Sequence, residues 1–376
     1  MIDFNVPLYL GNEENKIKLA LESHHISGDG PFTHQVSQWM RTRFCAKHVL
    51  LTTSGTHALE ISALLSGIDP GDEVIMPSFT FSSTANAFVQ MGAKIVFVDI
   101  RPDTMNIDET LIEQAITEKT KAIVPVHYAG VSADMNKINC IAQKYDLVVI
   151  EDAAQGFMSK YHDSYLGTMG DFGCYSFHES KNFNMGEGGA ILIKDDEAMK
   201  MAEIIREKGT NRSQFLHGFV DKYTWVEYGS SYLPSDINAA YLMGQLEYAD
   251  QINDKRISLW ENYNTALLPL QELGFIECPC IPAECKMNGH IYFIKCKDFA
   301  ERSSLIQYLK ENGIQAVFHY LPLHSSPAGL KFGRFDGEDR YTTTESERLL
   351  RLPMFYDLTE EQQSYIIKTI FKFYHQ

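Results

Sequence analysis

The stretch FGCYSFHESKNFNMGEGGAILIK, residues 172–194, places Lys181 between two segments with the pattern of strands. Aromatic and apolar residues predict one strand from Phe172 to Phe177 and another, after a glycine turn, from Ala190 to Lys194. Buried lysines are rare, and desolvation lowers the pKa of an amine and frees its lone pair to attack an aldehyde. The alternative is a lysine on a solvated loop, which is the commoner case, so the rest of the chain must supply the other groups of a site.

Apolar strands alternate with helical segments through the first half of the chain. This alternation predicts an α/β fold with a doubly wound, mostly parallel sheet. Ligand sites in such sheets lie at the carboxyl ends of the strands. The expected strands before the lysine segment are 49–51, 72–77, 93–99, 122–126 and 147–150.

The second half of the chain has a different pattern. A helical pattern begins at Ser235, a plausible cap, and continues past Leu246 toward Leu268. Short strands, a helix at 300–312 and further short segments follow, which is typical of a small α+β unit. The sequence therefore predicts a large domain at 1–250 and a small C-terminal domain at 251–376.

Composition and charge restrict the class of protein. The 376 residues are 44% hydrophobic and 22% charged, and the formal net charge is −16. An acidic surface disfavours nucleic acid and anionic membranes, so an anionic substrate would need a local basic cluster. The N-terminus lacks the pattern of a signal peptide and the apolar runs are too short to span a membrane, which predicts a cytoplasmic protein.

The seven cysteines do not have the spacing of a disulfide scaffold. Cys278, Cys280, Cys285 and His290 lie close together in sequence, but the pair is C-x-C and no second tight pair follows. We expect reduced thiols and no metal site.

Residues 52–57, TTSGTH, join an apolar strand to a helix. Free N–H groups and the helix dipole favour an anion at such an N-terminus, and here Gly55 allows close approach while Thr56 adds a hydroxyl. An ordinary N-cap formed by Ser54 or Thr56 is the alternative.

Two further residues follow strand ends. Phe81 could stack on a planar ligand, although an aromatic residue is more often part of a core. Asp152 ends an apolar run with a carboxylate that would favour the charged form of a nearby cation, although an aspartate after a strand is often a helix N-cap. A strand-end aspartate, a glycine–threonine turn and a buried lysine are together much more specific than any one of them.

The pattern S-F-H-x-x-K-N at 176–182, followed by E-G-G at 187–189, resembles the lysine segment of the sugar-nucleotide aminotransferases, the DegT/DnrJ/EryC1/StrS-like family. The resemblance covers nearly the whole chain from Asn5. It implies the fold type I of pyridoxal 5'-phosphate enzymes, with a homodimer whose active sites are shared between subunits. It also implies two substrates, a nucleotide-linked keto-sugar and L-glutamate.

The resemblance assigns roles to individual residues. Lys181 would hold the cofactor and move the proton, and Asp152 would face the ring nitrogen. Ser231 stands where many relatives have an asparagine that reaches the partner subunit's cofactor phosphate, which puts that contact in doubt. The implied cofactor contacts are Gly55, Thr56, Phe81, Asp152, Ala154, Gln155, Ser176, Lys181 and Ser231.

Two segments are candidates for the substrate. His319 and Tyr320 belong to an F-H-Y-x-P-L-H segment that resembles one on the sugar side of the family's pocket; an edge strand that stops at Pro322 is the alternative. Arg212 lies in a basic cluster between Arg206 and Lys222 that could meet a nucleotide diphosphate, or could be a solvated loop.

The resemblance extends to the substrate. It implies amination of dTDP-4-keto-6-deoxy-D-glucose at C4 to the galacto-configured amino sugar, a step in deoxyamino-sugar synthesis for lipopolysaccharide or another surface polysaccharide. Three alternatives stay open: a 3-keto or gluco-forming enzyme of the same family, a non-catalytic regulator that binds the cofactor, and a dehydratase. Lys181 argues against the dehydratase, because that branch has histidine at the lysine position.

Overall fold

A computed structural model describes residues 1–216, 218 and 220–375. The helices of this part of the chain are α1 (Asn12–Glu22), α2 (Pro31–Phe44), α3 (Gly55–Leu65), α4 (Ser82–Val89), α5 (Glu109–Ala115), α6 (Met135–Tyr145), α7 (Asp196–Arg206), α8 (Arg212–Leu216), α9 (Asp236–Leu246), α10 (Ala249–Glu272), α11 (Phe299–Glu311), α12 (Pro327–Phe332), α13 (Thr342–Arg348) and α14 (Glu360–Tyr374). Its strands are β1 (His48–Thr52), β2 (Glu73–Pro77), β3 (Lys94–Val98), β4 (Thr120–Ile123), β5 (Val148–Asp152), β6 (Lys160–Tyr161), β7 (Ser164–Tyr165), β8 (Phe172–Ser176), β9 (Gly189–Ile193), β10 (Cys285–Lys286), β11 (Tyr292–Lys295), β12 (Gly333–Phe335) and β13 (Leu349–Leu352).

The main sheet has the strand order β1-β9-β8-β5-β4-β2-β3-β12. Neighbouring strands from β8 to β12 are parallel, whereas β9 runs antiparallel to both β1 and β8. The predicted α/β fold with a mostly parallel sheet is confirmed. The lysine segment is the connection between the neighbouring antiparallel strands β8 and β9, as the apolar runs on both sides of it predicted.

Successive side chains of the strands pack into two separate cores, one on each face of this sheet. In β1, Val49 and Leu51 belong to the core beneath α2, α5, α6 and α9, while Leu50 belongs to the core beneath α3, α4 and α7. Because successive side chains in a strand point to opposite faces, a strand buried on both sides must be apolar throughout. Burial on both faces explains why the sequence of these strands shows continuous apolar runs.

The C-terminal part of the chain has a core of its own. Side chains of α10, α11, α14, β11 and β13 form it, together with Ile2 from the N-terminus. The helical pattern after Ser235 is two helices, and the break lies at residues 247–248. Strand β12 nevertheless extends the main sheet beside β3, and the division at residue 250 stays a prediction. None of the helices in the described residues is both long and apolar enough to cross a membrane.

Candidate active site

A cavity of about 360 Å³ lies at the carboxyl ends of the main-sheet strands. Residues that follow or end β1, β2, β5 and β8 line one side of it, and residues from the C-terminal core line the other. Ten of the twelve residues singled out in the sequence line this cavity: Gly55, Thr56, Phe81, Asp152, Ala154, Gln155, Ser176, Lys181, His319 and Tyr320.

The other two, Ser231 and Arg212, do not line the cavity of their own chain. Arg212 is half-exposed, and its Nη1 donates to Glu207 Oε1 at 2.9 Å. Arg206, from the same basic cluster, is buried and donates to both carboxylate oxygens of Asp29, at 2.8 and 3.0 Å. The guanidinium of Arg206 is therefore held in an ion pair with Asp29 and is not free to bind a diphosphate.

Lys181 lies in a compact turn between β8 and β9, where its N–H donates to the His178 carbonyl at 2.9 Å. Its side chain lines the cavity, so the solvated-loop alternative is wrong. Burial lowers the pKa of Lys181 from 10.5 to about 8; the charge of Asp152 raises this pKa and that of Arg351 lowers it further. About a tenth of the amine is therefore neutral and nucleophilic at pH 7, against well under a thousandth for an ordinary lysine.

Asp152 is the last residue of β5, and both of its carboxylate oxygens accept hydrogen bonds. Thr84 Oγ1 donates to Oδ2 at 2.7 Å, and the Ala154 N–H donates to Oδ1 at 3.2 Å. Turns and the β6–β7 hairpin follow β5, and no helix begins there. The N-cap alternative for Asp152 is therefore wrong, and its carboxylate is held at the cavity wall by side-chain and backbone donors.

The turn before α3 both caps that helix and opens onto the cavity. Ser54 Oγ accepts the His57 N–H at 3.0 Å, as the capping alternative predicted. The first N–H groups of a helix have no partner within it, so they remain available to an anion. A Cβ on Gly55 would lie 2.9 Å from Ser176 Cβ, so glycine is required by the packing of this turn against the end of β8.

The aromatic residues after β2 divide between core and cavity. Phe79 is 1% exposed and packs edge-on against Tyr128, whereas Phe81 is 58% exposed and lines the cavity. Phe79 is therefore the aromatic residue that belongs to the core, and the alternative that placed Phe81 in the core is wrong.

The segment carrying His319 and Tyr320 closes the cavity without forming a strand. Tyr320 OH accepts from Gln155 Nε2 at 2.9 Å, and Tyr128 OH pairs with His319 Nδ1 at 2.7 Å. Within the described residues, only an isolated bridge from Val317 to Arg351 ties this segment to a strand, so the edge-strand alternative is wrong. Burial raises the pKa of Tyr320 and lowers the pKa of His319, so both side chains are neutral at physiological pH.

Among the cavity residues to which the sequence analysis gave no role in the site are His290 and Arg351. His290 Nδ1 lies 2.9 Å from Asn182 Oδ1, and Asn182 Nδ2 donates to the Asn288 carbonyl at 2.9 Å. The amide orientation makes Nδ1 the donor, and burial, with the charge of Lys181, lowers the pKa of His290, so the ring is neutral with its proton on Nδ1. In the sequence, the only indication of this network was Asn182, which directly follows Lys181.

The donor set of the cavity fits pyridoxal 5'-phosphate. Lys181 offers an amine of lowered pKa to an aldehyde, and the helix N-terminus with its hydroxyls offers a site for a phosphate. Asp152 offers a fixed carboxylate to a ring nitrogen, and Phe81 offers an apolar face to a ring. These four features together define a pyridoxal-phosphate enzyme.

Comparison with known proteins gives the family. The DegT/DnrJ/EryC1/StrS aminotransferase family model matches residues 10–371, so the chain belongs to this family. It is 37% identical to the "Pleiotropic regulatory protein" of Geobacillus stearothermophilus, covering 88% of this chain and 86% of that protein. It is 32% identical to the spore coat polysaccharide biosynthesis protein SpsC of Bacillus subtilis (strain 168), covering 98% and 96%.

Solved structures agree with this family. Spr1654 of Streptococcus pneumoniae in its PLP form is 28% identical with a TM-score of 0.89, covering 100% of this chain and 98% of that one. NtdA of Bacillus subtilis with bound PMP is 31% identical with a TM-score of 0.88, covering 97% and 82%. The chain is an aminotransferase of the sugar aminotransferase family, and its cofactor is pyridoxal 5'-phosphate.

Proposed function

We propose that the enzyme transfers the amino group of L-glutamate to C4 of dTDP-4-keto-6-deoxy-D-glucose. The product would be dTDP-4-amino-4,6-dideoxy-D-galactose, which makes the enzyme a dTDP-4-amino-4,6-dideoxygalactose transaminase. Glutamate leaves as 2-oxoglutarate, whose new carbonyl oxygen comes from water, and the carbonyl oxygen of the sugar leaves as water, so the reaction forms no net water. The observation that carries the proposal is one cavity in which Lys181, with its lowered pKa, and Asp152 face the His319–Tyr320 segment.

The residues of the cavity have different roles in this reaction. When bound, pyridoxal 5'-phosphate supplies a carbonyl carbon for the amino group and a ring that accepts the electron pair of a broken C–H bond. Asp152 stabilises a protonated ring nitrogen, since the opposite charge favours the charged form. Lys181 Nζ takes a proton from the donor carbon and returns one to the sugar carbon. Gly55, Thr56 and Ser176 would hold the phosphate.

The proposal includes a homodimer located in the cytoplasm. Ser231 and Arg212 lie outside their own chain's cavity, which is consistent with a role in the site of a partner subunit. Several large apolar side chains near them are exposed, which a subunit interface would cover. They are Phe215, Tyr223, Trp225, Val226 and Tyr228.

The configuration of the product tests the substrate proposal. We expect turnover of dTDP-4-keto-6-deoxyglucose with glutamate, and a small H3–H4 coupling in the NMR spectrum of the product because the new amine is axial. A large coupling would mean an equatorial amine and the gluco isomer. Turnover of only the 3-keto isomer would move the reaction to C3. Either result contradicts the proposed substrate but leaves the aminotransferase in place.

The lowered pKa of Lys181 predicts a pH dependence for cofactor capture by the apoenzyme. Only the neutral amine attacks an aldehyde, so the rate constant should rise about tenfold per pH unit below pH 8 and level off above it. Stopped-flow absorbance of pyridoxal phosphate binding measures this rate. Because Asp152 raises the pKa of Lys181, Asp152→Asn should move the midpoint to lower pH. A rate that still rises above pH 10, as for an ordinary lysine, would contradict the assignment.

A further inference from the structure

Ser78, His324 and Asp339 form a hydrogen-bonded network that does not line the cavity. Ser78 Oγ lies 2.7 Å from His324 Nδ1, and His324 Nε2 lies 3.2 Å from Asp339 Oδ2. Because an ionised carboxylate only accepts hydrogen bonds, Nε2 carries the ring proton and Nδ1 accepts from the Ser78 hydroxyl. The three groups therefore have the order of the catalytic triad of serine hydrolases.

Burial excludes a nucleophilic role for this serine. Ser78 is 0% exposed, so a substrate carbonyl cannot reach its hydroxyl. Its Oγ also accepts the backbone N–H of His324 at 3.0 Å, so the serine and the histidine are joined by two hydrogen bonds. The network therefore fixes positions, and its role depends on the parts of the protein that it joins.

The network joins the end of β2 to the segment 318–324 on the sugar side of the cavity. Ser78 directly follows β2, and its carbonyl accepts the Leu323 N–H at 2.9 Å. The ring centroids of His324 and of Phe335, in β12, are 4.5 Å apart. The carboxyl end of the segment is therefore fixed to the main sheet.

The other end of segment 318–324 is fixed to the C-terminal core, because Arg351 Nη2 donates to the Phe318 carbonyl at 3.0 Å. Between these two ends, residues 319–321 make no backbone–backbone hydrogen bond within the described part of the chain. The position of Tyr320 therefore depends on the two anchors and on its side-chain contacts.

Tyr320 is the residue of this segment whose position in the cavity the anchor at His324 affects most directly. Its hydroxyl accepts from Gln155 Nε2 at 2.9 Å, and its ring centroid lies 5.5 Å from that of Phe79. Phe79 directly follows Ser78, so one short stretch after β2 contacts the segment at two points. A shift at His324 would therefore move the Tyr320 hydroxyl relative to the rest of the cavity.

We propose that His324 is a positioning residue for the keto-sugar half of the reaction and acts through Tyr320. Its network with Ser78 and Asp339 holds segment 318–324 so that the Tyr320 hydroxyl orients the keto-sugar. The inference rests on the proposed function, which places the keto-sugar against this segment. A misplacement of about 1 Å can lower a rate about 100-fold, so a residue outside the cavity can have a large effect.

Two amide substitutions separate the two bonds of the imidazole. The amide of His324→Asn can place its oxygen near the position of Nδ1 and still accept from Ser78. The longer side chain of His324→Gln can reach Asp339 with its NH2 group but loses the bond to Ser78. We expect His324→Gln to lower kcat/KM for the keto-sugar nucleotide roughly 10- to 100-fold, and His324→Asn to lower it less.

The glutamate half-reaction is the internal reference for this loss. Glutamate alone converts the yellow cofactor to its amino form, so fading of the colour measures this half without a sugar. Its rate should be native in both variants, because neither Lys181 nor Asp152 has a hydrogen bond to segment 318–324 in the described part of the chain. Equal losses in the two half-reactions would overturn the proposal.

A double-mutant cycle with Tyr320→Phe tests whether His324 acts through that tyrosine. Tyr320→Phe should itself lower kcat/KM for the keto-sugar, and adding His324→Gln should then cause little further loss, because the hydroxyl that it positions is already absent. Independent losses that multiply would show that His324 acts on another group and would overturn the proposal. A native kcat/KM in Tyr320→Phe would overturn it as well.

Controls distinguish the remaining outcomes. His48→Gln removes a partly exposed histidine paired with Asp196 and should leave both half-reactions unchanged. If His324→Gln does not fold, Ser78→Ala removes the same bond from the other side and should lower the same quantity. A lowered melting temperature with native kcat/KM for the sugar would assign the network to stability alone and overturn the proposal. The test uses whichever keto-sugar nucleotide the native enzyme accepts, so a sugar other than the proposed one overturns the proposed function and not this inference.

Discussion

Lys181→Ala should lower turnover by about four orders of magnitude, the upper end of effects for a positioned proton-transfer group. The lysine is the amine of lowered pKa in the cavity, and its loss removes both the cofactor's attachment and the base that moves the proton. The phosphate turn and Asp152 remain, so the variant should still bind pyridoxal phosphate. It should also retain the amino-sugar product with the cofactor, because the amine that displaces the product is missing.

Steady-state turnover and the absorbance of the purified protein measure these two effects. Lys200→Ala is the matched control, since Lys200 is an exposed helical lysine that pairs with Glu197. Partial recovery of Lys181→Ala with a small added amine would support a role as base. Turnover within tenfold of the native enzyme would remove Lys181 from the mechanism.

Much of the fold could be predicted because the sheet is buried on both faces. Strands such as β2 and β5 need continuous apolar runs, and these runs stand out in sequence. Short strands do not stand out: β6 and β7 have two residues each, and β12 has three and pairs with β3, which is distant in the chain. Strand β4 ends at Ile123, although the apolar run continues to Val126, because Pro125 has no N–H to donate; the pairing with β5 resumes as an isolated bridge between Val126 and Asp152.

The candidate site was predictable where its residues adjoin in sequence. Ser54, Gly55 and Thr56 lie together in sequence at the start of α3, and Asp152 ends a strand, so local patterns indicated them. The positions of the other site residues depend on packing, which local sequence patterns do not show. Phe79 and Phe81 both closely follow the end of β2, and the first is buried because it packs against Tyr128, His319 and Tyr320.

The two arginines of β13 and its preceding helix show the same limit. Arg348 and Arg351 enclose two leucines in the sequence RLLR, and no local feature separates them. The partners of Arg348, Glu277 and Glu345, come from the C-terminal part of the chain, while Arg351 lines a cavity formed by strands more than 150 residues away in sequence. The position of Arg351 in the cavity is therefore visible only in the assembled structure.

Asp152→Asn should lower the rate by about two to four orders of magnitude while leaving the fold intact. The substitution is nearly isosteric, and Thr80 Oγ1 lies 2.7 Å from Thr84 Oγ1. The Thr84 hydroxyl can therefore turn to Thr80 and accept from the new amide instead of donating to the carboxylate. The amide carries no charge, so it no longer favours the protonated ring nitrogen on which electron withdrawal depends.

The half-reaction with glutamate isolates this effect, because its rate depends directly on C–H cleavage. We expect cofactor affinity to fall much less than the rate, since the phosphate turn and Lys181 are unchanged. Asp196→Asn, which removes an exposed carboxylate paired with Lys47 and His48, should leave both quantities unchanged. If Asp152 only held Thr84 and the Ala154 N–H, the substitution would lower the stability of the protein and not the rate of the reaction. Near-native activity in Asp152→Asn with a lowered melting temperature would therefore assign the carboxylate to structure alone.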